Sequence, residues 1–398
     1  MRRDHFILGE NVEINLNSHE TWLNNNILIV GSSGTGKTRT IVEPNLQHPV
    51  GSYVISDPKG MLYQKFAKIF KKNGMNVQKI DLIHPEQGSY YNPLDFISND
   101  RDILKIATIL NNSTESFDRD PFWDKTSLIL LISLIYYLIE ISTPEDDQLN
   151  IVNLLDCLKK CIRNGSQKSR MDVLMKDHLC LNPNSRAVSN YLKVDCAEKT
   201  YNCIVLTLQS KLGILDIPSV AKMISKNDIE FTDLAQRPTV IFVICSDTDR
   251  SLDVLANLFF TQALSELTTY ADQECENGEL PVPVMFMMDD FATNVVIDDF
   301  PKSIATIRSR NISCVMMIQS ESQLQDCYGV NGAKTIIANC DTYVYLGGND
   351  IETATSISNR IDKPVHWILQ LKANQCLVFR RGEAPKMVNK YINLKNNK

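Results

Sequence analysis

Residues 31–38 read Gly-Ser-Ser-Gly-Thr-Gly-Lys-Thr, which is the spacing of a phosphate-binding loop. Glycines let such a loop turn sharply, so that its backbone N–H groups point at nucleotide phosphates. Lys37 would reach the β- and γ-phosphates, and the Thr38 hydroxyl would bind Mg²⁺. An apolar strand precedes the motif and a helical pattern follows it, as the motif requires. We therefore predict an ATP and Mg²⁺ site at Gly31, Ser32, Ser33, Gly34, Thr35, Gly36, Lys37 and Thr38.

The apolar segment Val284–Met288 ends in two acids, Asp289 and Asp290. In phosphate-loop ATPases an acid at the end of a buried strand holds Mg²⁺, and a second acid commonly polarises the attacking water. We predict Asp289 as the metal-side acid and Asp290 as the acid beside the water. Many such ATPases have glutamate at the second position, and aspartate is one methylene shorter, so slow hydrolysis is expected. The alternative is a strand that ends in two solvated acids.

Three further polar residues flank the predicted strand at 312–318. Gln319 ends this strand and is a candidate sensor of the γ-phosphate, or else a side chain that only hydrogen-bonds a loop. Arg308 and Arg310 precede the strand. They are either surface ion-pair partners or an arginine finger that reaches the nucleotide of a neighbouring subunit.

The segment Asp57-Pro58-Lys59-Gly60 follows another apolar strand. It is either a tight turn, in which proline fixes φ and glycine frees it, or part of a ligand site. Parallel sheets bind ligands at the carboxyl ends of their strands, which is where Asp57 and Lys59 would lie.

Composition indicates a reduced, globular protein. The 398 residues carry 41 Lys and Arg against 47 Asp and Glu, a net charge of -6, which excludes a globally basic coat for nucleic acid. The 11 cysteines contain no Cys-x-x-Cys pair and are expected to be reduced thiols in the cytoplasm. The longest apolar run, residues 127–141, would span about 22 Å as a helix, against roughly 30 Å of bilayer hydrocarbon. We expect a buried core helix, no transmembrane segment and a soluble chain.

Strand and helix patterns alternate along most of the chain, which predicts an α/β fold with a mostly parallel sheet covered on both faces. The strands are predicted at 27–30, 53–56, 77–80, 239–244, 284–288, 312–318 and 342–346, and the helices include 61–72, 249–270, 297–310 and 351–360. Strand patterns disappear near residue 118 and long helical patterns take over. We predict a nucleotide domain in two parts, 1–117 and 206–398, interrupted by an all-α insertion at 118–205.

Charge is uneven in this insertion. Residues 157–193 contain eight basic side chains and two acidic ones, which is either a solvated face or a surface that binds a partner such as DNA. The basic, Asn-rich tail at 386–398 is expected to be frayed.

Several segments together resemble the TraG/TraD-type coupling proteins of conjugation and type IV secretion, within the FtsK/HerA-like group of phosphate-loop ATPases. The matching segments are GSSGTGKT with EPNL, VISDPKG, YYNPLDF at Tyr90–Phe96, DPFW at Asp120–Trp123, MMDDFA, IRSRNIS with MIQSESQLQDCYG, and IIANCDTYVYLGGND at Ile336–Asp350. They keep their order over most of the chain.

This resemblance implies a RecA-like nucleotide domain and an all-α domain that meets a DNA–relaxase substrate. It implies a homohexamer that pumps single-stranded DNA into a type IV secretion channel, at the inner face of the cell membrane. By motif, Lys37, Thr38 and Asp289 would bind ATP and Mg²⁺, Gln319 would be the sensor, and Arg308 or Arg310 the finger in trans.

The chain differs from the family pattern at Asp290, where glutamate is usual, and at Met61, where glutamate is frequent. The usual amino-terminal transmembrane helices are not recognisable in this sequence, so we expect either a membrane-free form recruited by another protein or a soluble portion. Two other functions remain open: an ATP-gated receptor for the relaxase that hydrolyses little, and an FtsK-like translocase on duplex DNA.

Overall fold

The computed structural model describes residues 4–112, 120–143, 148–165, 167–293 and 295–392. The chain divides into two compact units. The first comprises the described residues within 1–79, 230–250 and 263–398, and the second those within 80–229 and 251–262.

The described strands form a two-stranded hairpin and a nine-stranded sheet with the order β11-β10-β9-β3-β8-β7-β4-β6-β5. The strands are β1 (His5–Gly9), β2 (Val12–Asn15), β3 (Ile27–Val30), β4 (Ser52–Pro58), β5 (Asn76–Asp81), β6 (Thr239–Cys245), β7 (Val284–Met288), β8 (Ile312–Ile318), β9 (Thr342–Tyr345), β10 (Gln375–Arg380) and β11 (Lys386–Asn389).

The centre of the sheet is parallel. Strand β3 lies between β8 and β9, with Ile27 opposite both Val315 and Thr342. Strand β7 lies between β8 and β4, and β4 pairs with β6, all in parallel. Beyond β9, strands β10 and β11 complete the sheet with antiparallel pairing. Because the central strands are parallel, their carboxyl ends meet at one edge of the sheet.

The helices are α1 (Ser18–Thr21), α2 (Glu43–Leu46), α3 (Met61–Lys72), α4 (Asp100–Asn111), α5 (Pro121–Ile141), α6 (Ile151–Lys159), α7 (Arg170–Leu181), α8 (Arg186–Lys193), α9 (Glu198–Leu212), α10 (Pro218–Met223), α11 (Asp233–Gln236), α12 (Asp253–Glu274), α13 (Phe300–Ser303), α14 (Glu321–Ala338), α15 (Ile351–Ile361) and α16 (Val365–Leu369). A π-helical turn, Thr38–Val42, joins the phosphate loop to α2.

The core of the first unit lies between the sheet and helices such as α3. Leu62, Phe66 and Phe70 are buried at four-residue spacing, so that one side of α3 faces the sheet. The Phe70 ring lies 6.0 Å from Tyr53 on β4 and 5.9 Å from Phe242 on β6, measured between ring centroids. These contacts fix α3 against the two strands.

Helix α5 is the central helix of the second unit. It packs against α4, α8 and α9, and its Leu130, Leu131 and Leu134 are fully buried. Among the described residues it is the one helix that could cross a membrane by length and composition alone, and 44% of its apolar window is buried. Its buried residues lie between Ser127 and Leu138, within the run predicted as a core helix.

All seven predicted strands are present, within two residues at either end. The prediction of a helix at 297–310 is wrong. The segment contains only the short α13 and a 3₁₀ turn at Ile307–Arg310. Pro301 lies in the first turn of α13. Proline has no N–H to donate to the preceding turn, so it favours the start of a helix over its interior, where the prediction placed it. Asp299, which precedes the helix, has a left-handed backbone with φ of 53°.

The regular elements of the second unit from α4 to α10 are helices. Of the two predicted limits of the all-α insertion, residue 118 lies outside the described residues and residue 205 lies within α9. The domain limits therefore stay a prediction.

The tail was predicted to be frayed from Lys386, and this is wrong for its described part. Met387 pairs with Leu377 and Val388 with Cys376, so the segment adds strand β11 to the sheet. Antiparallel pairing with a neighbouring strand satisfies backbone groups that a frayed tail would leave to water. Residues 393–398 lie outside the described residues.

Candidate nucleotide site

The phosphate loop lies at the carboxyl edge of the sheet, between β3 and the helical segment that starts at Thr38. The Gly31 N–H donates to Ile318 O on β8 at 3.1 Å, and the Ser32 N–H donates to Gly347 O at 3.1 Å. Gly34 and Gly36 have φ of 78° and 89°, a region that favours glycine. A Cβ at residue 31 would lie 2.6 Å from Thr35 Oγ1. The glycines are thus required by the turn.

Lys37 lies inside this loop and is only 8% exposed. Its Nζ donates to Gly31 O at 2.7 Å. Burial lowers the pKa of Lys37, while the nearby carboxylates of Asp290 and Asp289 act in the opposite direction. The lysine is therefore a partly desolvated cation next to two acids, and anionic phosphates would stabilise its charge further.

Thr38 and Asp289 are in direct contact although 251 residues separate them. Thr38 Oγ1 donates to Asp289 Oδ2 at 2.5 Å. Ser56 on β4 holds the backbone at this position, because its Oγ donates to the main-chain Asp289 O at 3.2 Å. Burial raises the pKa of Asp289 despite the hydrogen bond from Thr38. Two hard oxygen donors in this position suit Mg²⁺, and the cation would offset the cost of the buried charge.

Asp290 follows in a left-handed conformation, with φ of 52°. Its N–H donates to Asp289 Oδ1 at 3.1 Å, and its carbonyl accepts from the Thr293 N–H at 3.2 Å. Asp290 is the larger of the two acidic influences on the pKa of Lys37. The Asp290 carboxylate thus acts on the charge of Lys37.

Gln319 lies beside the phosphate loop, since the residue before it, Ile318, accepts the Gly31 N–H. The Gln319 side chain is exposed, and its backbone N–H donates to Gln323 Oε1 at 2.9 Å. The carboxyl edge of the sheet therefore brings together the phosphate loop, the acids Asp289 and Asp290, and Gln319.

The structure does not bring Arg308 and Arg310 to this edge. Both precede β8, so they lie at its amino end, whereas the phosphate loop lies at the carboxyl end. Arg310 forms two hydrogen bonds of 2.8 Å with Asp272, which is the ion-pair alternative. Arg308 lines a cavity of about 240 Å³ with Asn17 and Glu279. Neither arginine reaches the nucleotide site of its own chain, and the role in trans stays a prediction.

Asp57 is at the same edge as the phosphate loop, but its carboxylate caps α3. It accepts the Leu62 N–H at 3.0 Å and the Tyr63 N–H at 2.7 Å. Lys59 has a φ of 74° and forms an ion pair of 2.7 Å with Asp247. The turn interpretation of this segment fits these contacts, and its last residue, Gly60, also has a positive φ of 71°.

One residue near the loop was missed. Lys390 follows β11 and donates from Nζ to Thr35 O at 2.9 Å and to Leu346 O at 2.8 Å. A lysine in a polar tail, 353 residues after Lys37, carries no local signal of such a contact. Only the pairing of β10 and β11 places it there.

The chain is similar in sequence to proteins of conjugative DNA transfer. The sequence model of the family described as "Type IV secretory system Conjugative DNA transfer" matches residues 3–363. The conjugal transfer protein TraG of Escherichia coli is 24% identical over 349 residues, which is 83% of this chain and 54% of TraG. Protein VirD4 of Agrobacterium fabrum is 24% identical over 351 residues, which is 84% of this chain and 49% of VirD4. The chain thus spans about half the length of these relatives.

Solved structures show the same fold. The bacterial conjugative coupling protein TrwBΔN70, in a trigonal form with sulphate, superposes with a TM-score of 0.69 at 18% identity, over 92% of this chain and 86% of that one. TrwB in complex with ADP and Mg²⁺ gives a TM-score of 0.66 at 18% identity, with the same coverage. The predicted RecA-like α/β fold is confirmed, and so is the resemblance drawn from the motifs: the chain belongs to the type IV secretory system conjugative DNA transfer family.

Proposed function

We propose that this chain binds ATP with Mg²⁺ at residues 31–38 and Asp289. The observation that carries the proposal is the 2.5 Å contact between Thr38 Oγ1 and Asp289 Oδ2, beside the buried Lys37. TrwB, which shares the fold, was solved with ADP and Mg²⁺ and with a non-hydrolysable ATP analogue. In this chain Thr38 and Asp289 would hold the ion, which neutralises charge on the β- and γ-phosphates when bound.

We further propose that nucleotide turnover powers a coupling protein, which brings a relaxase–DNA substrate to a type IV secretion channel and drives single-stranded DNA transfer. Family membership supports this assignment. Asp290 would orient the attacking water, and Gln319, exposed next to the loop, would sense the γ-phosphate. The active form would be a homohexamer at the cytoplasmic face of the membrane, with Arg308 or Arg310 as a finger in trans.

The test is ATP hydrolysis by the purified chain, with and without single-stranded DNA. Lys37→Ala should abolish turnover, because it removes the cation that stabilises the transferring phosphoryl group. Lys72→Ala, at an exposed lysine on the last turn of α3, is the matched control and should turn over ATP like the native chain. Equal hydrolysis by native chain and Lys37→Ala would refute the site. A preference for duplex over single-stranded DNA would favour the FtsK-like alternative.

A second candidate is an ATP-gated receptor that recruits the relaxase and hydrolyses little. It is favoured by the short side chain of Asp290, which lies in a left-handed turn with φ of 52°. Asp290→Glu restores the longer acid. The receptor predicts tight ATP binding with negligible turnover in the native chain, and turnover that appears only in Asp290→Glu, where the longer acid reaches the water. The motor predicts turnover by the native chain, and a faster rate in Asp290→Glu if the acid's reach limits hydrolysis.

The basic segment at 157–193 is less available for DNA than its composition suggests. Arg163 pairs with Asp172 at 2.6 Å and with Asp195 at 2.9 Å. Two more of its eight basic residues, Lys159 and Arg186, also form ion pairs. Internally neutralised cations contribute little to phosphate binding, so we propose that contact with the substrate in this segment relies on its other lysines and arginines.

A further inference from the structure

Lys390 reaches the phosphate loop from the end of the chain's last described strand. It is 6% exposed, and its ammonium bridges two main-chain oxygens, Thr35 O in the loop and Leu346 O after β9. Burial lowers the pKa of this lysine. A buried cation on two carbonyls costs desolvation, and the hydrogen bonds offset that cost only while the geometry is kept.

The lysine itself is held in place by its neighbours. Its own N–H donates to Asn374 O at 2.8 Å. The preceding residue, Asn389, forms two hydrogen bonds with Glu10. Its carbonyl accepts the Glu10 N–H at 2.8 Å, and its Nδ2 donates to Glu10 Oε2 at 2.9 Å. Lys390 thus acts on the loop from a fixed position.

The contact with Thr35 determines the orientation of a peptide group. In a planar trans peptide, the carbonyl of one residue and the N–H of the next point in opposite directions. Holding Thr35 O towards Lys390 therefore turns the Gly36 N–H away from it. Gly36 has a φ of 89°, and glycine permits other orientations of this peptide, so the sequence of the loop does not fix it alone.

We infer that Lys390 is a positioning residue, which holds the Thr35–Gly36 peptide so that the Gly36 N–H faces the nucleotide phosphates. This inference rests on the proposed binding of ATP. Lys390 lies beyond residues 3–363, which the family model matches, so the family assignment does not supply it. The antiparallel strands β10 and β11 then have a role in the site: they carry the residue that presets its anion-binding loop.

The peptide can be observed by itself in solution. Among the 16 glycines of the chain, only Gly36 is preceded by threonine. Protein labelled with ¹³C-carbonyl threonine and ¹⁵N-glycine therefore gives a single carbonyl-to-amide correlation, from the Thr35–Gly36 peptide. Lys390→Met keeps the length of the side chain and removes its donors. Lys386→Met, at an exposed lysine of β11 paired with Glu383, is the matched control.

Without nucleotide, Lys390→Met should shift the Thr35 carbonyl signal, because that oxygen loses its charged donor, whereas Lys386→Met should leave it unchanged. An unchanged signal in Lys390→Met overturns the inference, whatever the outcome for ATP binding. If the native chain bound no nucleotide at all, the proposed function would fail, while this first measurement would still report on the contact.

With nucleotide, the dissociation constant for ADP and Mg²⁺ should rise by about tenfold or more in Lys390→Met, as for a lost hydrogen bond to a charged group. Affinity for AMP, which lacks the β-phosphate, should change far less, so discrimination between ADP and AMP should fall. General destabilisation would weaken both equally, and that result contradicts a positioning role. Lys390→Arg keeps the charge and donors, and it should retain more ADP affinity than Lys390→Met; equal loss would count against the inference.

Discussion

Asp57 offers a test of how a buried acid at the site's edge affects stability. The side chain is fully buried and accepts two backbone N–H groups at the start of α3. Burial raises its pKa from 3.8 to about 6, because desolvation outweighs those hydrogen bonds and Asp289 lies nearby. The charged form is therefore penalised in the folded state.

The sign follows from proton linkage. The folded state binds the Asp57 proton more tightly than the unfolded state, so this group stabilises the fold fully below the unfolded pKa, and that contribution is lost as pH rises through about 6. A shift of about 2.2 pKa units corresponds to about 3 kcal/mol, of which about 2 kcal/mol is lost between pH 4.5 and 7.5.

Asp57→Asn removes this pH dependence but keeps only one acceptor for two N–H groups, at a cost of about 1–3 kcal/mol at every pH. The unfolding free energy of Asp57→Asn relative to the native chain should thus increase by about 2 kcal/mol from pH 4.5 to pH 7.5. Urea unfolding of both proteins at the two pH values measures it. Equal slopes of unfolding free energy against urea concentration in the two proteins would show that the change lies in stability.

Asp350 provides a matched control, because it also caps a helix, α15, and accepts the Thr353 N–H at 2.8 Å. Burial alone would raise its pKa, but the hydrogen bonds from Thr353 and Ser322 lower it. Asp350→Asn should therefore keep a nearly constant difference from the native chain between pH 4.5 and 7.5, and that difference should shrink only as pH falls below the unfolded pKa of 3.8. A difference between Asp57→Asn and the native chain that stays constant from pH 4.5 to 7.5 would refute the reasoning.

Three other outcomes are expected. Asp289→Asn should raise the unfolding temperature of the nucleotide-free chain, because burial disfavours the carboxylate, yet remove the stabilisation by ATP and Mg²⁺; a thermal scan with and without ligand measures both. Phe70→Ala should cost about 3–5 kcal/mol in urea unfolding, since it empties a fully buried position between Tyr53 and Phe242. In urea unfolding, Asp172→Asn should destabilise the fold at pH 7 by about 2 kcal/mol, and the difference should decline as pH falls from 3.8 through about 2. Burial would raise this acid's pKa, but the hydrogen bonds from Arg163 hold it at about 2.

Short-range patterns were sufficient for the strands at the centre of the sheet. Segments such as Ile27–Val30 and Thr239–Cys245 are buried along their whole length, so they stand out as apolar runs. Strands β1, β2, β10 and β11 were not predicted. The four residues of β11 are mostly exposed, and its identity as a strand depends on pairing with β10. Pairing partners are a property of the assembled sheet and leave little trace in such a segment.

For the site, the sequence by itself determined the phosphate loop and the acids at 289 and 290, because each follows a continuous apolar strand and its chemistry depends on a short spacing. The tertiary structure decided which groups meet: it joined Thr38 to Asp289, assigned Asp57 to the cap of α3, and placed Arg308 and Arg310 at the opposite edge of the sheet. It also brought Lys390 onto the loop from 353 residues away in the chain. The physical reason is that strand order and direction in the sheet, rather than distance along the chain, determine which strand ends share an edge.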